Sequence, residues 1–275
     1  MVRLVCWWGA AFWTTCVEDR KEMHHFWLLL ATLCLILPVP AGGEETEIDL
    51  APRLRHLVAA YPLALERIEG NTLVWKDATR MAVDDGSGPK TAAERLQAPD
   101  IKDMLVEPYP PGGLSAPVGD PGRARNAAFF NKMYGDCRNG DVQSALTTVQ
   151  WLPKKWDRPL KITARNGVAE KLAAVSRELD ELPAAFDQFL FPPAGTFNCR
   201  TIAGTNLMSA HGHGIAIDLA TVHADYWRWA KPGAGYRNRI PAEIVAIFER
   251  HGFIWGGKWR HFDTMHFEYR PELLP

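Results

Sequence analysis

The chain has 275 residues, of which 47% are hydrophobic and 23% are charged, and its formal net charge is −1. This length allows one sizeable hydrophobic core or two small ones. A net charge near zero gives no electrostatic basis for binding nucleic acid or an anionic membrane surface, so we expect neither as a partner.

The first 44 residues have the features of a signal peptide. Phe26 to Leu37 is an almost unbroken apolar run, preceded by Arg20 and Lys21 and followed by Val39-Pro40-Ala41, whose small residues suit cleavage. The run has about 12 residues, whereas a helix needs roughly 20 to cross a bilayer. We therefore expect residues 1–44 to be removed, leaving a secreted or periplasmic protein without stable membrane insertion.

Cysteine usage agrees with export. Cys6, Cys16 and Cys34 lie in the segment that we expect to be lost, which leaves Cys137 and Cys199. An even pair in an oxidising compartment predicts a disulfide. The alternative is a pair of buried free thiols.

Residues 45–125 are interpreted as an accessory N-terminal segment with no chemistry of its own. Asp49 to Arg67 has apolar residues near helical spacing, and Glu69 to Trp75 reads as a turn followed by a short strand. Glu107 to Gly122 is rich in proline and glycine, which predicts a loop or linker.

Residues 126–275 are interpreted as one α+β domain with a small, mostly antiparallel sheet and flanking helices. Asn166 is the predicted N-cap of a helix whose apolar face comprises Val168, Leu172, Val175, Leu179 and Leu182. A second helix is predicted to begin at Pro241 and to end at Gly252. The predicted strands are Leu160–Thr163, Thr196–Ile202, Gly214–Leu219, Phe253–Trp255 and Met265–Tyr269.

Two short stretches of this domain concentrate the side chains that bind metals. A hydrolytic zinc site uses three His or carboxylate ligands and leaves one position open, and His211, Asp218 and His266 supply such a set. Strand alternation directs Asp218 away from the face that carries Ile215 and Ile217. The sequence therefore predicts a zinc centre on the sheet.

Two carboxylates flank the third predicted ligand. Asp263 lies three residues before His266, close enough to act as the base that takes a proton from the attacking water. Glu268 follows His266 by two residues on the same strand face, where it suits a role in fixing a ligand imidazole. Taken singly, each of these residues also has an ordinary structural explanation, as a turn, cap or buried strand residue; their combination favours the metal site.

These stretches carry a family resemblance. Ser209, His211, Gly214, Ala216 and Asp218 fit the pattern S-x-H-x-x-G-x-A-x-D, and residues 263–268 fit [DE]-x-x-H-[FI]-E. Together the motifs resemble the D-alanyl-D-alanine carboxypeptidase family of zinc peptidases, which includes the vancomycin-resistance (VanY-like) D,D-peptidases and phage L-alanyl-D-glutamate endolysins. The similarity extends over roughly residues 140–275.

The resemblance implies a hedgehog/D,D-peptidase-like fold with Zn²⁺ on His211, Asp218 and His266 and with Asp263 as general base. It also implies that Arg200 and Ser209 contact the substrate, a peptidoglycan stem peptide; a structural ion pair is the alternative for Arg200. Cleavage of a terminal D-alanine and cleavage inside the stem both remain open. Oligomeric state is not predicted.

Two other functions compete with a peptidase. The first is a non-catalytic, zinc-containing module that binds the cell wall, and an intact Asp263 argues against it because a binding module needs no base. The second is a structural domain whose histidines are fortuitous, which predicts no stoichiometric zinc.

Overall fold

The computed structural model describes residues 49–113, 116–117, 119–202, 205–231 and 233–275, which belong to one compact unit. The predicted signal peptide, residues 1–44, lies outside the described residues. The fold is mixed, with helices packed beside small antiparallel sheets, as expected for the α+β class. No described helix is both long enough and apolar enough to cross a membrane.

Six α-helices occur in the described residues. They are α1 (Ala51–Ala60), α2 (Ala92–Gln97), α3 (Ala127–Tyr134), α4 (Val168–Asp180), α5 (Asp187–Leu190) and α6 (Ala242–Arg250). α4 and α6 bury one apolar face each, as their sequence periodicity predicts. Pro241 is the N-cap of α6, in agreement with its predicted start.

Eight strands form three antiparallel sheets in the same residues. They are β1 (Leu65–Glu69), β2 (Thr72–Trp75), β3 (Arg80–Ala82), β4 (Leu146–Trp151), β5 (Arg158–Thr163), β6 (Ala216–Asp218), β7 (Phe253–Trp255) and β8 (His266–Tyr269). The first sheet has the order β1-β2-β3, and β4 pairs with β5. The third has the order β6-β8-β7, so β8 is its central strand.

One buried cluster includes residues from both predicted segments. Leu57 and Tyr61 from the N-terminal part share this core with Trp151, Phe248 and Phe267. The ring of Phe248 stacks on that of Phe267, with centroids 3.9 Å apart. The N-terminal residues therefore pack against the C-terminal part, and the division at residue 125 stays a prediction.

Three local predictions differ from the structure. The helix expected over Asp49–Arg67 ends at Ala60, because Pro62 disfavours helical geometry at the preceding Tyr61 (φ −126°, ψ 59°). Asn166 is not an N-cap: it adopts φ +54° in a 3₁₀ turn, and α4 begins after Gly167.

The third difference is the strand expected over Thr196–Ile202. This stretch forms a single isolated bridge, which joins Thr201 to Met208. Its backbone hydrogen bonds go to the following loop: Ser209 N–H donates to the Arg200 carbonyl at 3.1 Å, and Ile202 N–H donates to the Leu207 carbonyl at 2.8 Å. The segment thus folds onto the loop that carries His211 rather than along a neighbouring strand.

Candidate metal centre

Three elements bring the predicted ligands together. Asp218 ends β6 and His266 begins β8, and the two residues are direct cross-strand partners. His211 lies in a tight turn in which Gly214 N–H donates to the His211 carbonyl at 3.0 Å. Gly214 has φ +67°, and a Cβ there would stand 3.2 Å from the backbone nitrogen of Thr163, so the turn favours glycine on both grounds.

The three ligand atoms form a compact triangle. Asp218 Oδ1 lies 2.9 Å from His266 Nδ1 and 3.1 Å from His211 Nε2, and the two nitrogens are 3.2 Å apart. Bonds of about 2.0–2.1 Å in a tetrahedral zinc site place ligand atoms roughly 3.3 Å from one another. The spacing of these side chains therefore fits a single zinc ion.

The outer nitrogen of each imidazole has an acceptor that fixes the ring. His211 Nδ1–H donates to the Thr196 carbonyl at 2.5 Å, and His266 Nε2–H donates to Glu268 Oε2 at 3.1 Å. A proton on the outer nitrogen leaves the lone pair of the inner nitrogen directed at the triangle. Glu268 thus has the contact with His266 that its position two residues along β8 indicates.

The electrostatics of the centre also suit a cation. Burial alone would lower the pKa of His266, but hydrogen bonds to Asp218 and Glu268 raise that pKa to about 10. Burial acts to raise the pKa of Asp218, but the two histidines hold it well below its usual range. The carboxylates that favour a proton on the buried imidazole would also favour a divalent metal ion at the position of that proton.

Asp263 lies beside the triangle, and one of its carboxyl oxygens has no partner among the described residues. Its side chain lines a pocket of about 100 Å³ together with His211 and His266. Oδ1 is buried and accepts no hydrogen bond from the described residues. The pKa of this carboxyl is raised above its ordinary value, and burial is the main cause. A buried carboxyl group that lines a pocket and has an unsatisfied oxygen is suited to exchange a proton with a bound molecule.

Arg200 and Ser209 line the same pocket. The Arg200 side chain is exposed, and no carboxylate in the described part of the chain forms an ion pair with it. Its charge nevertheless acts to lower the pKa of Asp263. Ser209 is buried, and its Oγ accepts a hydrogen bond from the backbone N–H of His211 at 3.3 Å. Substrate contact by either residue stays a prediction.

A disulfide joins Cys137 to Cys199, as the cysteine count predicts. It links the turn that follows α3 to the residue directly before Arg200. The alternative of two free thiols is therefore not what the structure contains. The bridge restrains the backbone at one rim of the pocket.

Sequence reasoning missed the residues that complete the opposite wall. Arg123, Arg125 and Trp259 line the pocket, and Arg125 forms a buried ion pair with Glu268. The nearby Pro/Gly-rich stretch reads as a linker, and no sequence pattern connects Arg125 to a residue 143 positions away. The one local feature is that Arg123 and Arg125 come directly after the Pro/Gly-rich stretch.

Comparison with protein families matches residues 203–269 to the model described as D-alanyl-D-alanine carboxypeptidase. The match covers 67 of the 275 residues and includes His211, Asp218, Asp263 and His266. It supports a peptidase of the D-alanyl-D-alanine carboxypeptidase type. The curated proteins and the solved structures contain no match to the chain.

Proposed function

We propose that this chain is a zinc-dependent peptidase that hydrolyses peptidoglycan stem peptides outside the cytoplasm. The observation that supports it most directly is the triangle of His211, Asp218 and His266, whose atoms lie 2.9–3.2 Å apart. The family match over residues 203–269 independently favours peptide hydrolysis.

The chemistry divides between the metal and the surrounding side chains. Zinc, when bound, polarises the scissile carbonyl and lowers the pKa of water. Asp263, whose side chain lines the pocket, takes a proton from the attacking water on its carboxylate and passes it to the leaving amine. The raised pKa of Asp263 suits this relay, because its carboxyl can both accept and release a proton near neutral pH.

Arg200 supplies a positive charge for the substrate. The anionic groups of a stem peptide are its free carboxylates. An exposed guanidinium among the residues that line the pocket is suited to bind one of them in a bidentate manner. Ser209 lies on the same side as Arg200, and we assign it to substrate contact. Both a D-alanyl-D-alanine carboxypeptidase and an L-alanyl-D-glutamate endopeptidase are consistent with this arrangement.

The sequence supports a secreted or periplasmic location. The predicted signal peptide directs the chain to a secreted or periplasmic compartment, where peptidoglycan is found. The Cys137–Cys199 bridge is the kind of bond that persists in an oxidising environment.

Mass spectrometry of defined muropeptides, incubated with the zinc-loaded protein, tests the proposal. Loss of one D-alanine would establish a carboxypeptidase, and release of the intact stem below L-alanine would establish an endopeptidase. Stoichiometric zinc with no cleavage of any muropeptide would contradict the enzyme and indicate a wall-binding module. Absence of zinc binding would indicate a structural domain.

A further inference from the structure

We propose that Arg125 is a positioning residue for the metal centre, and that it acts on His266 through Glu268. This inference rests on the proposed zinc site. It assigns a function to the end of the N-terminal segment, which the sequence indicates to be without chemistry. The matched region, residues 203–269, does not include Arg125.

Glu268 is the element through which Arg125 acts. Its carboxylate is fully buried, on the central strand β8. Oε2 accepts from His266 Nε2 at 3.1 Å and also forms an ion pair with Arg125 Nη2. Arg125 Nε donates to the other oxygen, Oε1, at 3.2 Å. The carboxylate that orients the ligand imidazole is therefore itself held by a bidentate guanidinium contact, with one nitrogen on each oxygen.

A second arginine holds the same carboxylate from the other side. Arg270 Nη1 donates to Glu268 Oε1 at 3.1 Å, and Arg270 Nε donates to Glu272 Oε1 at 2.5 Å. Tyr61, which follows α1, donates from its hydroxyl to Glu272 Oε2 at 2.7 Å. A continuous chain of buried contacts thus runs from the end of α1 to the metal-facing imidazole.

Of the two arginines, Arg125 is the one that contacts Glu268 Oε2, the oxygen that faces His266. Arg270 contacts Glu268 through Oε1 and not through Oε2. Without Arg125, the Glu268 carboxylate can therefore rotate toward Arg270 and move Oε2 away from the His266 imidazole. Partners that fix a ligand histidine from behind typically contribute 10- to 100-fold to metal affinity. Because Arg125 acts one contact further out, we expect an effect at the lower end of that range.

The segment around Arg125 is anchored where this function requires it. Arg270 Nη1 donates to the Gly122 carbonyl at 2.5 Å, and Trp259 Nε1 donates to the Pro121 carbonyl at 2.6 Å. Asp120 accepts from the backbone N–H of His261 at 3.0 Å. These bonds fix the backbone just before Arg125 on both sides of the pocket wall.

The test measures the zinc dissociation constant of the full exported chain by competition with a chromophoric chelator. We expect Arg125→Gln to raise this constant about tenfold or more. Lys258→Gln is the matched control. Lys258 is also a buried cation that holds the N-terminal segment, through the carbonyls of Pro110 and Gly112, but it forms its ion pair with Glu249. We expect Lys258→Gln to lower stability and to leave zinc affinity unchanged.

Three results would overturn the inference. The first is an unchanged dissociation constant in Arg125→Gln, and the second is an equal rise in Arg125→Gln and Lys258→Gln, which would indicate general loosening. If Arg125→Gln does not fold, Arg125→Lys is measured instead, because lysine keeps the charge but cannot form the bidentate contact. The third result is a wild-type zinc dissociation constant in Arg125→Lys. Wild-type protein that binds no zinc would instead contradict the proposed function itself.

Discussion

Asp218 and His266 face each other across the antiparallel pair β6–β8, and their side chains meet at 2.9 Å between Oδ1 and Nδ1. Direct cross-strand partners have close Cβ atoms, so the sheet itself sets the distance between these two ligands. His211 then needs only the turn before β6 to complete the triangle. Two of the three predicted ligands are thereby on regular structure, which holds them more rigidly than loops would.

Replacing Asp263 separates metal binding from turnover. We expect Asp263→Ala and Asp263→Asn to keep stoichiometric zinc and to lower kcat by about 10²- to 10⁴-fold, the usual contribution of a general base. Zinc analysis and muropeptide turnover on the same preparations check this. Wild-type turnover in either variant would rule out Asp263 as the base.

Replacing His211 removes the metal and the activity together. We expect His211→Ala to bind no stoichiometric zinc and to lose the zinc-dependent rise in Tm that ligand binding gives the wild type. His223→Ala is the control, since His223 lies outside the triangle and contacts the ring of Phe189. Retention of zinc by His211→Ala, or its loss in His223→Ala, would speak against the assigned ligands.

Arg200→Gln should act on substrate recognition and not on zinc. A hydrogen bond to a charged group contributes about 1.5–3 kcal/mol, so we expect kcat/KM to fall roughly 10- to 100-fold for a peptide that ends in a free carboxylate. The same peptide with an amidated C-terminus should be hydrolysed about equally by wild type and variant. An identical loss on both peptides would show that Arg200 does not bind the carboxylate.

The disulfide should contribute strongly to stability. Cys137 and Cys199 are 62 residues apart, and closing a loop of that length is worth about 4 kcal/mol in the chain-entropy model. Denaturant unfolding of Cys137→Ala/Cys199→Ala measures the loss. Two alkylatable thiols in the non-reduced, denatured wild type would contradict the bridge.

The centre was more predictable from sequence than the wall around it. His211, Asp218 and His266 lie in two short motifs; Asp218 and His266 fall on paired strands, and His211 lies in the turn before β6. The contact between Arg125 and Glu268 depends on how a proline- and glycine-rich stretch folds back onto β8. No local periodicity encodes such a contact, because it arises only in the tertiary structure.

Secondary structure was likewise predictable where the signal is local and not where tertiary contacts determine it. The strands β7 and β8 and the helix after Pro241 have strong local signals and occur where predicted. The strand expected over Thr196–Ile202 failed because its apolar and β-branched residues satisfy their hydrogen bonds with a loop. Strand propensity describes which conformations a segment can adopt, and its tertiary contacts determine which of them forms.

The most direct measurement is crystallography of the zinc-loaded protein at the zinc absorption edge. We predict one anomalous peak about 2.0–2.2 Å from His211 Nε2, His266 Nδ1 and Asp218 Oδ1, with Asp263 outside bonding distance. A peak at other side chains would contradict the metal centre on which the proposed peptidase depends. So would the absence of a peak at the triangle in protein that contains stoichiometric zinc.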